Sequence, residues 1–177
     1  MSKNKFNDDF FANVCEKEAW KRLSSSDNEF RWSERLIDRC RDKIDWKELS
    51  QNRNVQWNAS MIERFGSYLF DWNALSSSDC QALYSIENLR KFKSKWVWSK
   101  LSSNRDVNWT MDKIEEFKDL IDWDKIINLH YTHGLYTLEF FEKFKDYISG
   151  SSFQNSNLWE EIMKIYTDKL AEKLLAL

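Results

Sequence analysis

Apolar positions recur along this chain at helical spacing, in a pattern that returns about every 26 residues. A leading Trp stands at Trp20, Trp46, Trp72, Trp98 and Trp123, and three residues after each comes Leu23, Leu49, Leu75, Leu101 or Ile126. That is the spacing of neighbours on one helix face. A second aromatic follows at Trp32, Trp57, Tyr84, Trp109 and Tyr136, and positions five, eight and twelve beyond it are apolar in every copy. They are Ile37, Cys40, Ile44; Ile62, Phe65, Leu69; Leu89, Phe92, Trp96; Ile114, Phe117, Ile121; and Phe141, Phe144, Ile148. Spacings of three and four define one stripe of an α-helix about three turns long, and the period of two expected of a strand is missing. Each copy should hold a short helix, a turn and a longer helix.

Polar residues mark the helix ends. Asp45, Asp71 and Asp122 precede a leading Trp, where a carboxylate can accept from the unpaired amides of a first helical turn; Val97 breaks that pattern. The second aromatic is followed by Ser33, Asn58, Ser85, Thr110 or Thr137, all residues suited to cap the longer helix. Between the two helices lie Ser24, Ser50, Ser76 or Ser102, then Asn28, Asn52, Asp79 or Asn104. These side chains bond back to nearby backbone and so make turns. The chain has no Pro and three Gly, so Ser, Asn and Asp must shape most of its bends.

Neither short helix can bury its stripe alone, whereas stacked copies share one core. The pattern predicts an all-α fold, a right-handed α-solenoid of about five two-helix repeats of 25–26 residues, forming a single domain over 1–177. The repeats run 20–45, 46–71, 72–97, 98–122 and 123–149. Residues 1–19 are expected to form an N-terminal capping helix with Phe10, Phe11, Val14 and Cys15 on one face. Residues 150–177 are expected to be a degenerate half-repeat and closing helix carrying Leu158, Ile162, Ile165, Tyr166, Leu170 and Leu174, with a cap drawn from Asn155 to Asn157.

Composition narrows the function. Ten Trp, twelve Phe and six Tyr give 16% aromatic residues in a chain of 177, enough for a large core. The net charge of −2 argues against a protein devoted to neutralising phosphates. Cys15, Cys40 and Cys80 are odd in number and widely spaced, which fits a reducing compartment better than a disulfide framework. No apolar run approaches the roughly 18 residues of a membrane span, and residues 1–11 have no signal-peptide core. The expectation is a cytoplasmic protein without membrane contact.

The candidate chemistry is sparse. The Asp residues recur at a helix-capping position, which a catalytic pair would not need to do, and no Walker, Rossmann, Gly-x-Ser-x-Gly or Cys-x-x-Cys motif is present. His130 and His133 could ligate a metal, but they fall in a turn beside Gly134, and we expect no metal, no cofactor and no enzymatic activity. Two partner surfaces remain. Turn positions that vary while the core stays fixed are free to read a partner: Arg53, Gln56, Arg105, Asn108, Tyr131 and His133. They favour a non-enzymatic scaffold for a protein or peptide. The alternative is single-stranded nucleic acid on the basic stretch 90–105, through Arg90, Lys91, Lys93, Lys95 and Lys100 beside Trp96 and Trp98. Phe92, Trp96 and Trp98 occupy core positions of the pattern, which undercuts stacking on bases.

The pattern Trp-x-x-Leu-Ser-x-x-Asn, Trp-[Ser/Thr] and a helix ending in Asp-Trp resembles the short Trp-Leu-Ser-Asn repeats of uncharacterised bacterial and phage proteins. The resemblance covers about residues 20–149 and is carried best by DWKELSQNRNVQWN at 45–58 and WSKLSSNRDVNWT at 98–110. The third copy has Cys80, Gln81 and Ala82 in place of the Asn, and the fifth has lost Leu-Ser. The resemblance implies an architecture and a role in an interaction network, including host defence or its evasion, and no active site.

Overall fold

The computed structural model describes residues 5–66, 68, 70–130 and 134–176. All of the regular structure there is helical: twelve α-helices and three 3-10 turns. The chain divides into two compact units, Met1–Trp96 and Val97–Leu177.

The first unit holds α1 (Lys5–Ser24), α2 (Glu34–Cys40), α3 (Trp46–Gln51), α4 (Ala59–Arg64), α5 (Trp72–Leu75), a 3-10 turn at Gln81–Leu83 and α6 (Ile86–Lys91). The second holds α7 (Trp98–Leu101), a 3-10 turn at Arg105–Val107, α8 (Met111–Phe117), α9 (Trp123–Ile126), α10 (Leu138–Phe144), a 3-10 turn at Lys145–Tyr147, α11 (Gly150–Phe153) and α12 (Asn157–Leu175). The helices that start at a leading Trp are short, and each is followed by a turn and a capped second helix.

The caps follow the sequence closely. Ser33, Asn58, Ser85, Thr110 and Thr137 accept from the amides of Leu36, Met61, Asn88, Lys113 and Phe140. Each bond satisfies a first-turn donor that the helix itself cannot pair. Asp45 accepts from the Glu48 amide, and Asp71 from those of Asn73 and Ala74. Asp122 departs from the expectation: it makes no side-chain cap bond and lies instead 3.6 Å from the Lys125 amine. At the closing helix the cap is Ser156, which accepts from the Trp159 amide, rather than an Asn.

The second helices are shorter than the three-turn stripe implies. In the first, third and fourth copies the chain leaves the helix after position eight in a tight bend in which the carbonyl of that residue accepts twice. Cys40 O takes the amides of Lys43 and Ile44, Phe92 O those of Lys95 and Trp96, and Phe117 O those of Leu120 and Ile121. The bend still turns the third apolar residue inward, so Ile44, Trp96 and Ile121 are buried. The stripe is therefore a burial pattern that outlasts the helix.

The core is built from Leu49, Leu75, Leu101 and Ile126 together with Ile37, Ile62, Leu89 and Ile114, all buried. Val55, Leu83 and Val107, just before the second aromatic, are buried with them. From the second copy on, each leading Trp lies against the Phe at the end of its own second helix, whereas the first copy has Cys40 at that position. Ring centroids are 5.3 Å apart for Trp46 and Phe65, 5.5 Å for Trp72 and Phe92, 4.9 Å for Trp98 and Phe117, and 5.3 Å for Trp123 and Phe144.

Buried polar side chains join successive Trp-led segments. Ser50 Oγ donates to Trp46 O at 2.6 Å and accepts from the Asp71 amide at 3.1 Å. Ser24 repeats this with Trp20 O and the Asp45 amide, and Ser102 with Trp98 O and the Asp122 amide. The Asn residues do likewise. Asn52 Nδ2 donates to Ser24 O and Ser25 O while its Oδ1 accepts from the Asn54 amide; Asn157 Nδ2 donates to Asn128 O at 3.0 Å. Each buried hydroxyl or amide is thus satisfied across segments, and α3 packs on both α1 and α5.

The terminal helices differ from the capping role the sequence suggests. In α1, Phe10, Phe11, Val14 and Cys15 are exposed, the first two by 61% and 57%. In α12, Leu158 and Ile162 are buried, whereas Tyr166, Leu170 and Leu174 face solvent. Helical spacing shows that such residues share a face; it does not show that anything covers the face.

Candidate partner-binding clefts

Clefts form at the turns inside each unit, and two of them occupy equivalent positions. The cleft of the first unit has a volume of about 250 Å³ and is lined by Gln51, Arg53, Trp57, Asn73, Ser77 and Asp79, among others. That of the second unit encloses about 430 Å³ and is lined by Ser103, Arg105, Asp124, Lys125, Asn128, Leu129 and His130. Arg53 and Arg105 both lie seven residues past a leading Trp, Asn73 and Asp124 one past the next, and Asp79 and His130 seven past it. Each cleft therefore forms where the turn of one Trp-led segment meets the first helix and turn of the following one.

The local sequence explains why the turn stays open. Asn52 and Asn104 each fold the chain into an Asx turn by accepting from the amide two residues on, at 2.8 and 2.9 Å. The residue between, Arg53 or Arg105, is left exposed. Val55 and Val107 then anchor the far side of the turn in the core. Asn108 has a φ of 48°, a left-handed conformation that Asn tolerates better than most residues.

The second aromatic closes the base of each turn. Trp32 Nε1 donates to Leu23 O, Tyr84 Oη to Leu75 O, and Trp109 Nε1 to Leu101 O at 3.1 Å. Tyr136 Oη donates to Ile126 O and accepts from the Leu129 amide. Burial pushes the Tyr136 hydroxyl well above the usual phenol range, with the bond from Leu129 opposing the shift. Trp57 is the exception. It is buried and lines the first cleft, yet its Nε1 is the one buried side-chain nitrogen or oxygen among the described residues without a hydrogen-bond partner.

Of the residues singled out by sequence, Arg53 and Arg105 line the clefts. Gln56 and Asn108 are exposed close by in sequence but are not part of either lining. Tyr131 and His133 lie outside the described residues. Asn73, Ser77, Lys125 and Asn128 were missed, because they come from the following segment. Their one signal is that positions one, two and five past a leading Trp are polar or small and differ between copies.

The basic stretch is divided between the units. Arg90, Lys91, Lys93 and Lys95 are exposed in the first, and Lys91 is ion-paired with Glu63. Lys100 is exposed in the second. The interleaved rings are engaged: Trp96 is buried and lies 5.0 Å from Trp72, while Phe92 and Trp98 are half-buried against other rings. No broad exposed ring is left among these three for a base to stack on.

No family model, curated protein or solved structure matches this chain. Among the described residues, no helix is long and apolar enough to cross a membrane, and no group of three or more His, Cys, Asp or Glu could hold a metal ion.

Proposed function

We propose that this protein is a non-enzymatic scaffold that binds a protein or peptide partner along the turn edge of stacked helical repeats. The observation that carries this reading is the pair of equivalent clefts, each with an Arg at the same position and each lined by polar residues that differ between copies. Side chains fixed for the core recur; those around the clefts do not, as expected of residues chosen for a ligand. The Asn bonds between copies support the solenoid arrangement: Asn52 of the second copy donates to Ser24 O and Ser25 O of the first, and Asn54 to Asn28 O.

The test is capture of partners from the source cell by the tagged full-length chain. The expected result is one stoichiometric protein, retained at moderate salt and lost when Arg53 and Arg105 are both changed to Glu. Recovery of RNA or DNA instead, released steeply by salt and by reversing Lys91, Lys93 and Lys95, would establish the nucleic-acid alternative and end the scaffold reading.

A further inference from the structure

We propose that the cleft of the second unit takes an acidic peptide segment, seating a partner's Asp or Glu between Arg105 and Lys125. The proposal rests on the scaffold reading and adds the chemistry of the occupant. Its first support is the contrast between the two clefts. In the first, Arg53 shares the lining with Asp71 and Asp79; in the second, Arg105 and Lys125 share it with Asp124 alone. The same position in the fold therefore carries a net negative charge in one unit and a net positive charge in the other.

The second support is how lightly the two cations are held. Arg105 is 72% exposed and meets Asp106 at 3.7 Å through Nε. Lys125 Nζ lies 3.6 Å from Asp122 and donates to Ser99 O at 2.7 Å. Long, solvated ion pairs of this kind contribute little, so a partner carboxylate can displace them and gain a charge-assisted bond, bidentate at the guanidinium. Leu129 supplies an apolar patch in the same lining, and His130 and Asn128 add polar groups. A volume of about 430 Å³ is that of a site for a few residues rather than a single ion. Asp124 opposes an anion and gives the proposal a test of its own.

A nucleic-acid phosphate offers the same charge, but the lining has no Trp, Tyr or Phe ring for a base to stack on, and Asp124 would repel a continuous phosphate backbone. The experiment is fluorescence anisotropy on the full chain with three labelled probes: a short peptide alternating Glu and Leu, its Lys and Leu counterpart, and an oligouridylate. The Glu peptide should bind and the other two should not. Arg105→Ala and Lys125→Ala should each weaken its binding by roughly three- to tenfold. Asp124→Asn should tighten it, and Lys47→Ala, an exposed change outside both clefts, should leave it unchanged, with circular dichroism verifying that each variant folds. The proposal is overturned if the Glu peptide does not bind, if the Lys peptide or oligouridylate binds as well or better, or if the Arg105 and Lys125 double variant keeps the original Kd. A captured partner lost on changing Arg53 and Arg105, yet indifferent to Lys125 and Asp124, would leave the scaffold reading standing and remove this one.

Discussion

Replacing Ser50 with Ala should destabilise the first unit by about 1–2 kcal/mol. Ser50 is 2% exposed, and its oxygen holds Trp46 O at 2.6 Å and the Asp71 amide at 3.1 Å. Ala deletes both bonds and leaves the Asp71 amide without its acceptor. A buried donor stranded in this way costs about 1–3 kcal/mol. Asp71 is only half-buried, so water can partly replace the lost partner and the lower part of that range applies. The better helix propensity of Ala returns a few tenths of a kcal/mol at most. The assay is urea unfolding followed by Trp fluorescence, with Lys47→Ala, an exposed change in the same helix, as the control expected within about 0.5 kcal/mol of the parent. Should Ser50→Ala behave like Lys47→Ala, the bond from Ser50 to the residue that caps the next Trp-led helix would carry no stability, and the account of how successive Trp-led helices are joined would fail. Ser102→Ala removes the matching bonds to Trp98 O and the Asp122 amide and should act in the same direction.

Three further outcomes follow from particular contacts. Trp57→Phe should cost less than Trp109→Phe by about 1 kcal/mol in denaturant midpoints, since the Trp57 N–H has no partner whereas that of Trp109 bonds to Leu101 O. Because burial raises the folded-state pKa of Tyr136, its contribution to stability is complete below the ordinary phenol pKa of about 10 and is lost as pH rises through the folded value. Unfolding measured from pH 8 upward should show an alkaline loss that is smaller in Tyr136→Phe, itself less stable at neutral pH. Thr110→Ala, which removes the cap on the Lys113 amide, should lower stability by about 1 kcal/mol, read by thermal unfolding; no change would mean that the cap is replaced by solvent.

Much of the local structure was legible in the sequence because its causes are local. A cap needs a side chain and an amide two or three residues on, so Ser33, Asn58, Ser85, Thr110 and Thr137 were readable from position alone. Among the described residues the core stripes were readable in the first four copies, with Cys40 and Phe92 only half-buried, whereas in the fifth Phe140 is buried in place of Phe141. What escaped has partners far away in the chain. Ser50 and Asn52 look like turn residues, and Asn52 does make a turn; yet their other bonds run to Asp71, Ser24 and Ser25, which no window of one helix contains. Period alone also overstated the second helices, because Ile44, Trp96 and Ile121 are buried from a bend. The clefts were half legible: Arg53 and Arg105 stood out within their own segments, whereas Asn73 and Lys125 gain meaning only beside the segment before them.

The same division explains how a chain with no Pro and three Gly can spare residues for recognition. Ser, Asn and Asp fix the bends by bonds that need only the first atoms of the side chain, and the Ser and Asn bonds also tie one segment to the next. Once Asn52 and Asn104 have set their turns and Val55 and Val107 have anchored them in the core, the residue just after each Asn is not needed to hold the turn. Arg53 and Arg105 occupy those positions. Substitution there should alter what the protein binds while leaving its unfolding midpoint within about 0.5 kcal/mol of the parent. That separation sets Arg53 and Arg105 apart from Ser50, which also lines the first cleft but whose replacement should lower stability as well.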